Sequence, residues 1–149
     1  MDKPSVPRNI ARLLLGLILA FAGIGHLTFA STEFHAQVPP WVPFDADLVV
    51  LLSGVAELIL GVSLLVMIRY RVMIGWIIAA FFVAVFPGNI AQWANQREAF
   101  GLNTDTARLI RLFFQPVLVV WALWCTGAWG TWRKREPASR GWTSLSRER

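Results

Sequence analysis

Four long apolar stretches dominate the chain, at about residues 10–30, 48–68, 72–94 and 108–129. Each supplies the roughly 20 residues that cross about 30 Å of hydrocarbon at about 1.5 Å per residue. The pattern predicts an all-α fold: an integral membrane bundle of four transmembrane helices, spanning residues 1–132, followed by a basic tail from 133 to 149. The first stretch also carries signal-peptide features, a basic start and Ala20-Phe21-Ala22 as a small-x-small site. Its apolar run continues to Ala30, however, which favours a retained first helix.

Polar positions inside these stretches are few. A charged group at the centre of a spanning helix costs about 2.5–3.5 kcal/mol on the insertion scale, so such groups usually face the bundle interior and are paired. On the first helix, Arg12, Gly16, Ala20, Gly23 and His26 fall within an arc of about 120° at about 100° per residue. On the second, Ser53, Glu57 and Gly61 repeat every four residues, with Gly54 beside them. The third ends with Pro87-Gly88-Asn89 and Gln92, and the fourth places Arg108, Arg111 and Gln115 on one face. Small residues on these faces allow backbones to approach closely.

Composition agrees with a membrane protein. The chain is 56% hydrophobic and 15% charged, with a mean hydropathy of +0.53, whereas soluble domains are about 25% charged. The net charge of +5 raises the question of nucleic acid. The basic residues, however, lie in short runs between apolar stretches and not on one helical face, so no nucleic-acid partner is expected. Eleven of the fourteen Lys and Arg residues fall on one side: Lys3, Arg8 and Arg12, then Arg69 and Arg71, then six in the tail. The positive-inside rule puts that side, and both termini, in the cytoplasm.

Alternation of the helices then sets depth. His26, Asn89 and Gln92 lie near the outer ends of their helices. Arg111 and Gln115 lie in the outer third of the fourth, and Glu57 is about 13 Å below the outer surface. These six residues form a predicted polar cluster in the outer half of the bundle, either helix-packing glue or a binding site. His26 and Glu57 are its acid–base candidates. Arg12 lies near the inner surface, where it is expected to snorkel. Above the cluster, Val38-Pro39-Pro40-Trp41-Val42-Pro43-Phe44 reads as a rigid lid or as a connecting loop with an aromatic anchor. The loop from Asn95 to Thr106 reads as polar and exposed. Trp129, Trp132 and Trp142 with the basic tail read as an inner-interface anchor.

No metal-ligand, phosphate-loop or nucleophile motif is present. His26, Glu57 and His35 have no specific metal-ligand spacing, and no metal is expected. Cys125 has no partner for a disulfide or a C-x-x-C relay, and reads as a buried core residue.

Ala22-Gly23-Ile24-Gly25-His26-Leu27, the Pro-Trp loop, Ser53-Gly54-Val55-Ala56-Glu57-Leu58-Ile59-Leu60-Gly61 and Phe86-Pro87-Gly88-Asn89-Ile90 together resemble the DoxX family of small bacterial membrane proteins. Order and spacing agree from about residue 8 to residue 125, with Leu27 where that family often has Phe. The resemblance implies a four-helix fold in the bacterial plasma membrane. It also implies an accessory or quinone-associated role in a membrane oxidoreductase or redox-homeostasis system. Some DoxX relatives are similar to a subunit of thiosulfate:quinone oxidoreductase. A bound quinone, a membrane or periplasmic redox partner, and a homo-oligomer are the associations this suggests. It supplies no catalytic residues. A non-enzymatic lipid- or solute-binding subunit of the envelope and a ligand-free scaffold are the alternatives.

The orientation has a direct test. With single cysteines at Ser31 and Ser139 in a Cys125→Ser background, a membrane-impermeant thiol reagent should label position 31 and not position 139 in intact cells. The opposite labelling would invert the bundle.

Overall fold

The computed structural model describes residues 5–97, 101 and 104–133. The tail beyond 133 with Trp142, the Trp132 side chain, and residues 98–100 and 102–103 lie outside the described residues. Among the described residues the α-helices, in chain order, are α1 (Val6–Leu27), α2 (Ser31–His35), α3 (Ala46–Val66), α4 (Arg71–Ala94), α5 (Asp105–Thr126) and α6 (Ala128–Arg133), with a 3-10 turn at Ile68–Tyr70 between α3 and α4. Among the described residues, four helices are long and apolar enough to span a membrane: α1, α3, α4 with its preceding turn, and α5.

Local chemistry moves several boundaries from their expected places, while the expected end of the third stretch at residue 94 agrees with Ala94. Pro7 in the first turn suits the start of α1, where a missing N–H costs nothing. The Asp45 side chain accepts from Leu48 N at 3.2 Å and starts α3 two residues early. Thr104 accepts from Ala107 N at 3.2 Å and starts α5 three residues early. Gly127, with φ of +79°, ends α5 at Thr126 in a left-handed cap that disfavours residues with a Cβ. The expected fourth helix therefore breaks into α5 and the short α6. Within the loop expected from Ser31 to Asp47, residues 31–35 form α2.

The helices run antiparallel in chain order, with α1 paired most extensively to α3 and α4 to α5. The α1/α3 pair meets backbone to backbone. A Cβ at Gly61 would lie 2.6 Å from Ala20 N and 2.8 Å from Gly16 O. Seven residues away on each helix, a Cβ at Gly23 would lie 2.7 Å from Gly54 O. Two glycine contacts one heptad apart thus fix the register of the pair. Gly75 serves α4 and α5 similarly, lying directly against the Thr126 side chain.

The bundle has two unlike halves. At the end bearing the short α3–α4 turn, Leu15, Leu19, Leu64, Ile74, Ile78, Phe82, Ala122 and Cys125 form an apolar core. There Trp121 Nε1 donates to the Ala11 carbonyl at 3.1 Å and ties α5 to α1. Polar groups collect toward the opposite end, beneath the two long loops. On the outer surface, Leu17, Phe21, Ile59, Val83, Ile110 and Phe113 are exposed, while Arg12, His26, Asn89, Gln92, Arg108 and Gln115 are buried. This inverted distribution suits a hydrocarbon solvent, which accepts apolar side chains and rejects polar ones. The protein is a multi-pass membrane protein by this pattern.

Arg12 departs from the snorkelling expectation. It is only 2% exposed. Its guanidinium donates to the Leu64 carbonyl, to the Leu65 carbonyl at 3.3 Å and to Asn9 Oδ1 at 3.0 Å. Leu64 and Leu65 lie in the last turn of α3, where carbonyls lack an intrahelical donor and the helix dipole favours a cation. Arg12 therefore closes the end of a neighbouring helix.

Gly61→Ala should destabilise the protein by about 1–3 kcal/mol, because backbone and not a flexible side chain must give way. Gly130→Ala, which meets nothing within 4 Å, should be neutral. Unfolding from mixed micelles measures both. Equal stability of the two variants would show that the close α1/α3 contact does not hold the bundle.

Candidate functional site

A cavity of about 500 Å³ lies among α1, α3, α4 and α5 in the long-loop half of the bundle. Leu19, Phe82 and Leu118 line its base and also belong to, or pack against, the apolar core below. Ile18, Ala22, Val50, Val85 and Phe114 form apolar walls. Phe34, Gln37, Val38, Pro39, Trp41 and Val42 line it from the α2–α3 segment. The Pro-Trp loop is thus a roof over the bundle, although Trp41 also exposes 69% of its surface.

Two contacts fasten the roof. His35 Nε2 meets Asp47 Oδ1 at 2.8 Å, and Arg97 donates to the Val38 carbonyl at 3.0 Å. Gly88 permits the roof to descend: a Cβ there would lie 2.6 Å from Gln37 O. This gives Pro87-Gly88-Asn89 a physical role, a glycine where loop and helix backbones touch and an amide one residue later facing the cavity.

Of the six expected cluster residues, His26, Glu57, Asn89, Arg111 and Gln115 line the cavity. Gln92 is 2% exposed and does not line it. The five divide into two groups. On the α1/α3 side, His26 Nε2 lies 3.3 Å from Glu57 Oε2, and Ser53 Oγ lies 3.3 Å from His26 Nδ1. The His26 ring stacks on Phe34 with centroids 3.3 Å apart. Arg111 reaches this group from α5, and its guanidinium and the Glu57 carboxylate attract each other. A buried carboxylate facing a guanidinium is a charge-compensated arrangement, which lowers the large cost of burying either alone, and the imidazole adds a polar neighbour.

On the α4/α5 side the groups satisfy one another. Asn89 Nδ2 donates to Gln115 Oε1 at 3.0 Å, and Gln115 Nε2 donates to the Phe82 carbonyl at 2.7 Å. Pro87, which has no N–H, leaves the neighbouring Val83 carbonyl without its usual helical donor.

Several lining residues lay outside the sequence expectation. Gln37 and Phe34 come from the loop segment, where no helical period directs attention inward. Ser53 was visible as a neighbour of Glu57 on its face but not as a member of the cluster. Among the described residues, no group of three His, Cys, Asp and Glu side chains could hold a metal ion. His35 pairs with Asp47 instead of joining His26 and Glu57. Cys125 is 1% exposed in the apolar core.

A family model described as a domain of unknown function, DUF8561, matches residues 15–126. The chain belongs to the DUF8561 family. The matched segment begins within α1 and runs to the last residue of α5, so it takes in all the cavity-lining residues of this DUF8561 member. No curated protein and no solved structure matches the chain.

The Asn89–Gln115 bond should behave as structural glue. Asn89→Leu and Gln115→Leu should each cost about 1–2 kcal/mol, and the double variant should cost less than their sum. Unfolding of the two single variants and the double variant tests this coupling. Strict additivity would show that the pair contributes no interaction of its own.

Proposed function

We propose that this protein is a membrane-embedded binding subunit for a lipophilic ring compound of the quinone class. It acts as an accessory to a membrane oxidoreductase system and not as a self-contained enzyme. One observation carries the reading: a cavity of about 500 Å³ with apolar walls and a localised polar group of His26, Glu57 and Arg111. Small-ligand pockets are commonly about 300–1,000 Å³, mostly apolar, with a few convergent polar groups that fix orientation. The resemblance to DoxX proteins supplies the redox association. A single buried cysteine offers no dithiol relay, so electron transfer falls to the ligand and a membrane or periplasmic partner. In this reading both termini are cytoplasmic in a bacterial plasma membrane, and the cavity opens in the outer leaflet.

A second reading rests on the cavity wall. Ile18 on α1 and Phe114 on α5 line the cavity yet are 48% and 54% exposed on the outer surface. Apolar side chains shared between cavity and lipid surface also suit an acyl chain, as in a lipid-binding envelope subunit.

Native mass spectrometry of the protein extracted in mild detergent distinguishes these readings. A retained quinone supports the first, and a retained phospholipid the second. Ala22→Phe should remove the adduct without unfolding the chain, because Ala22 lines the cavity. A short-tailed benzoquinone should also quench Trp41 fluorescence saturably. Wild-type protein with no adduct and no saturable quenching would eliminate both binding readings and leave a scaffold.

A further inference from the structure

We infer that the short-turn end of the bundle holds the phosphate of an anionic phospholipid, with Arg8 as its principal donor and Trp124 beside it. The inference is independent of what the cavity binds. Among the described residues, charge is divided between the two ends of the bundle. Glu33, Asp45, Asp47 and Asp105 belong to the long-loop end, and Glu57 faces the cavity in that half. The short-turn end carries Arg8 near the start of α1, Arg12 one turn further on, Arg69 in the 3-10 turn and Arg71 at the start of α4. No carboxylate among the described residues lies there.

The guanidinium groups at the two ends have different partners. In the long-loop half, Arg97 donates to the Val38 carbonyl, Arg108 donates to Asp105, and Arg111 faces the Glu57 carboxylate. At the short-turn end, Arg12 is held by the α3 carbonyls and Asn9, while Arg71 exerts a repulsion on it. Arg8 is exposed, and its guanidinium lies over the Trp124 ring, 6.0 Å from the centroid. That contact uses the face of the guanidinium and leaves its in-plane N–H groups directed at the surroundings. Like charges gathered at the edge of a low-dielectric slab are stabilised by an anion from outside the protein.

The surroundings favour a lipid as the source of that anion. Tyr70, Trp124 and Trp129 are exposed at this end, and such amphipathic rings reside at the headgroup level. One and two turns along α5 from Trp124, Val120 and Val117 are exposed, as is Leu14 on α1. A phosphate on Arg8 therefore has apolar surface beneath it on which acyl chains can lie. A guanidinium grips a phosphodiester through two parallel N–H···O bonds, and Arg69 and Arg71 add positive potential to the same headgroup layer. A zwitterionic lipid brings its own cation into that potential and gains less.

Native mass spectrometry of the full chain in neutral detergent micelles tests the site, with phosphatidylglycerol and phosphatidylcholine titrated as probes. The first phosphatidylglycerol should bind about tenfold more tightly than the first phosphatidylcholine, the effect of roughly one charge-assisted hydrogen bond. Arg8→Gln should abolish most of that preference. Arg8→Lys keeps the charge but loses the planar fork, and should fall between wild type and Arg8→Gln. Arg147→Gln combined with Arg149→Gln removes two charges from the tail and should change the preference by less than about twofold. Millimolar inorganic phosphate should leave the lipid adduct in place; displacement by it would assign a soluble anion to the site and overturn the lipid. Equal wild-type affinity for the two lipids, or a loss at Arg8 no larger than that in the tail variant, would overturn the site. The wild-type comparison decides the matter even if a variant fails to fold.

Discussion

The α1/α3 contact determines what the other helices have to accommodate. Gly16 against Gly61 and Gly23 against Gly54 bring two backbones to a separation that leaves no room for a Cβ. Lipid gives little hydrophobic reward for helix association, so close van der Waals packing must supply much of it. The same separation places the chemistry. A Cβ on Gly54 would sit 2.5 Å from His26 Cβ, so the histidine reaches over the glycine toward Ser53 and Glu57. At the other end of the pair, the register brings Arg12 onto the Leu64 and Leu65 carbonyls. One interface thus fixes both a capped helix end and a buried His26–Glu57 contact.

The α4/α5 pair uses a different means. Its close approach at Gly75 is accompanied by side-chain amides, with Gln115 bridging Asn89 and the Phe82 carbonyl. The two pairs meet through apolar side chains in the short-turn half. In the long-loop half they leave space between them. That space is not simply deficient packing, because the Pro-Trp segment covers it and is held by the His35–Asp47 and Arg97–Val38 contacts. The cavity therefore lies beneath the Pro-Trp segment and above the apolar core.

Much of this was legible in the sequence, for a specific reason. In a segment that must cross hydrocarbon, each polar residue is an exception, and helical geometry gives its direction. His26, Glu57, Asn89, Arg111 and Gln115 could be assigned to one half of the bundle on those grounds. Gln92 obeys the same rule and is buried, yet it misses the cavity, since angular position alone does not resolve which neighbour a side chain meets. Arg12 was misread because snorkelling considers one helix and a membrane surface, whereas its partners belong to α3. Gln37 and Arg97 lie in loop segments without a period, and their contacts become visible only after the chain folds back across Gly88 and Val38.

The polar residues that line the cavity differ in how far they satisfy one another. Asn89 and Gln115 line the cavity, but their bonds already join α4 to α5, and a ligand would gain little by displacing them. Glu57 faces the Arg111 guanidinium and lies beside His26, while its buried Oε2 makes no hydrogen bond. Gln37 holds an unfilled donor in the roof. Helix packing alone accounts for the first pair, because each member satisfies the other across an interface. Glu57 is placed differently: its carboxylate lies between the α1 histidine and the α5 guanidinium, at a cavity with apolar walls.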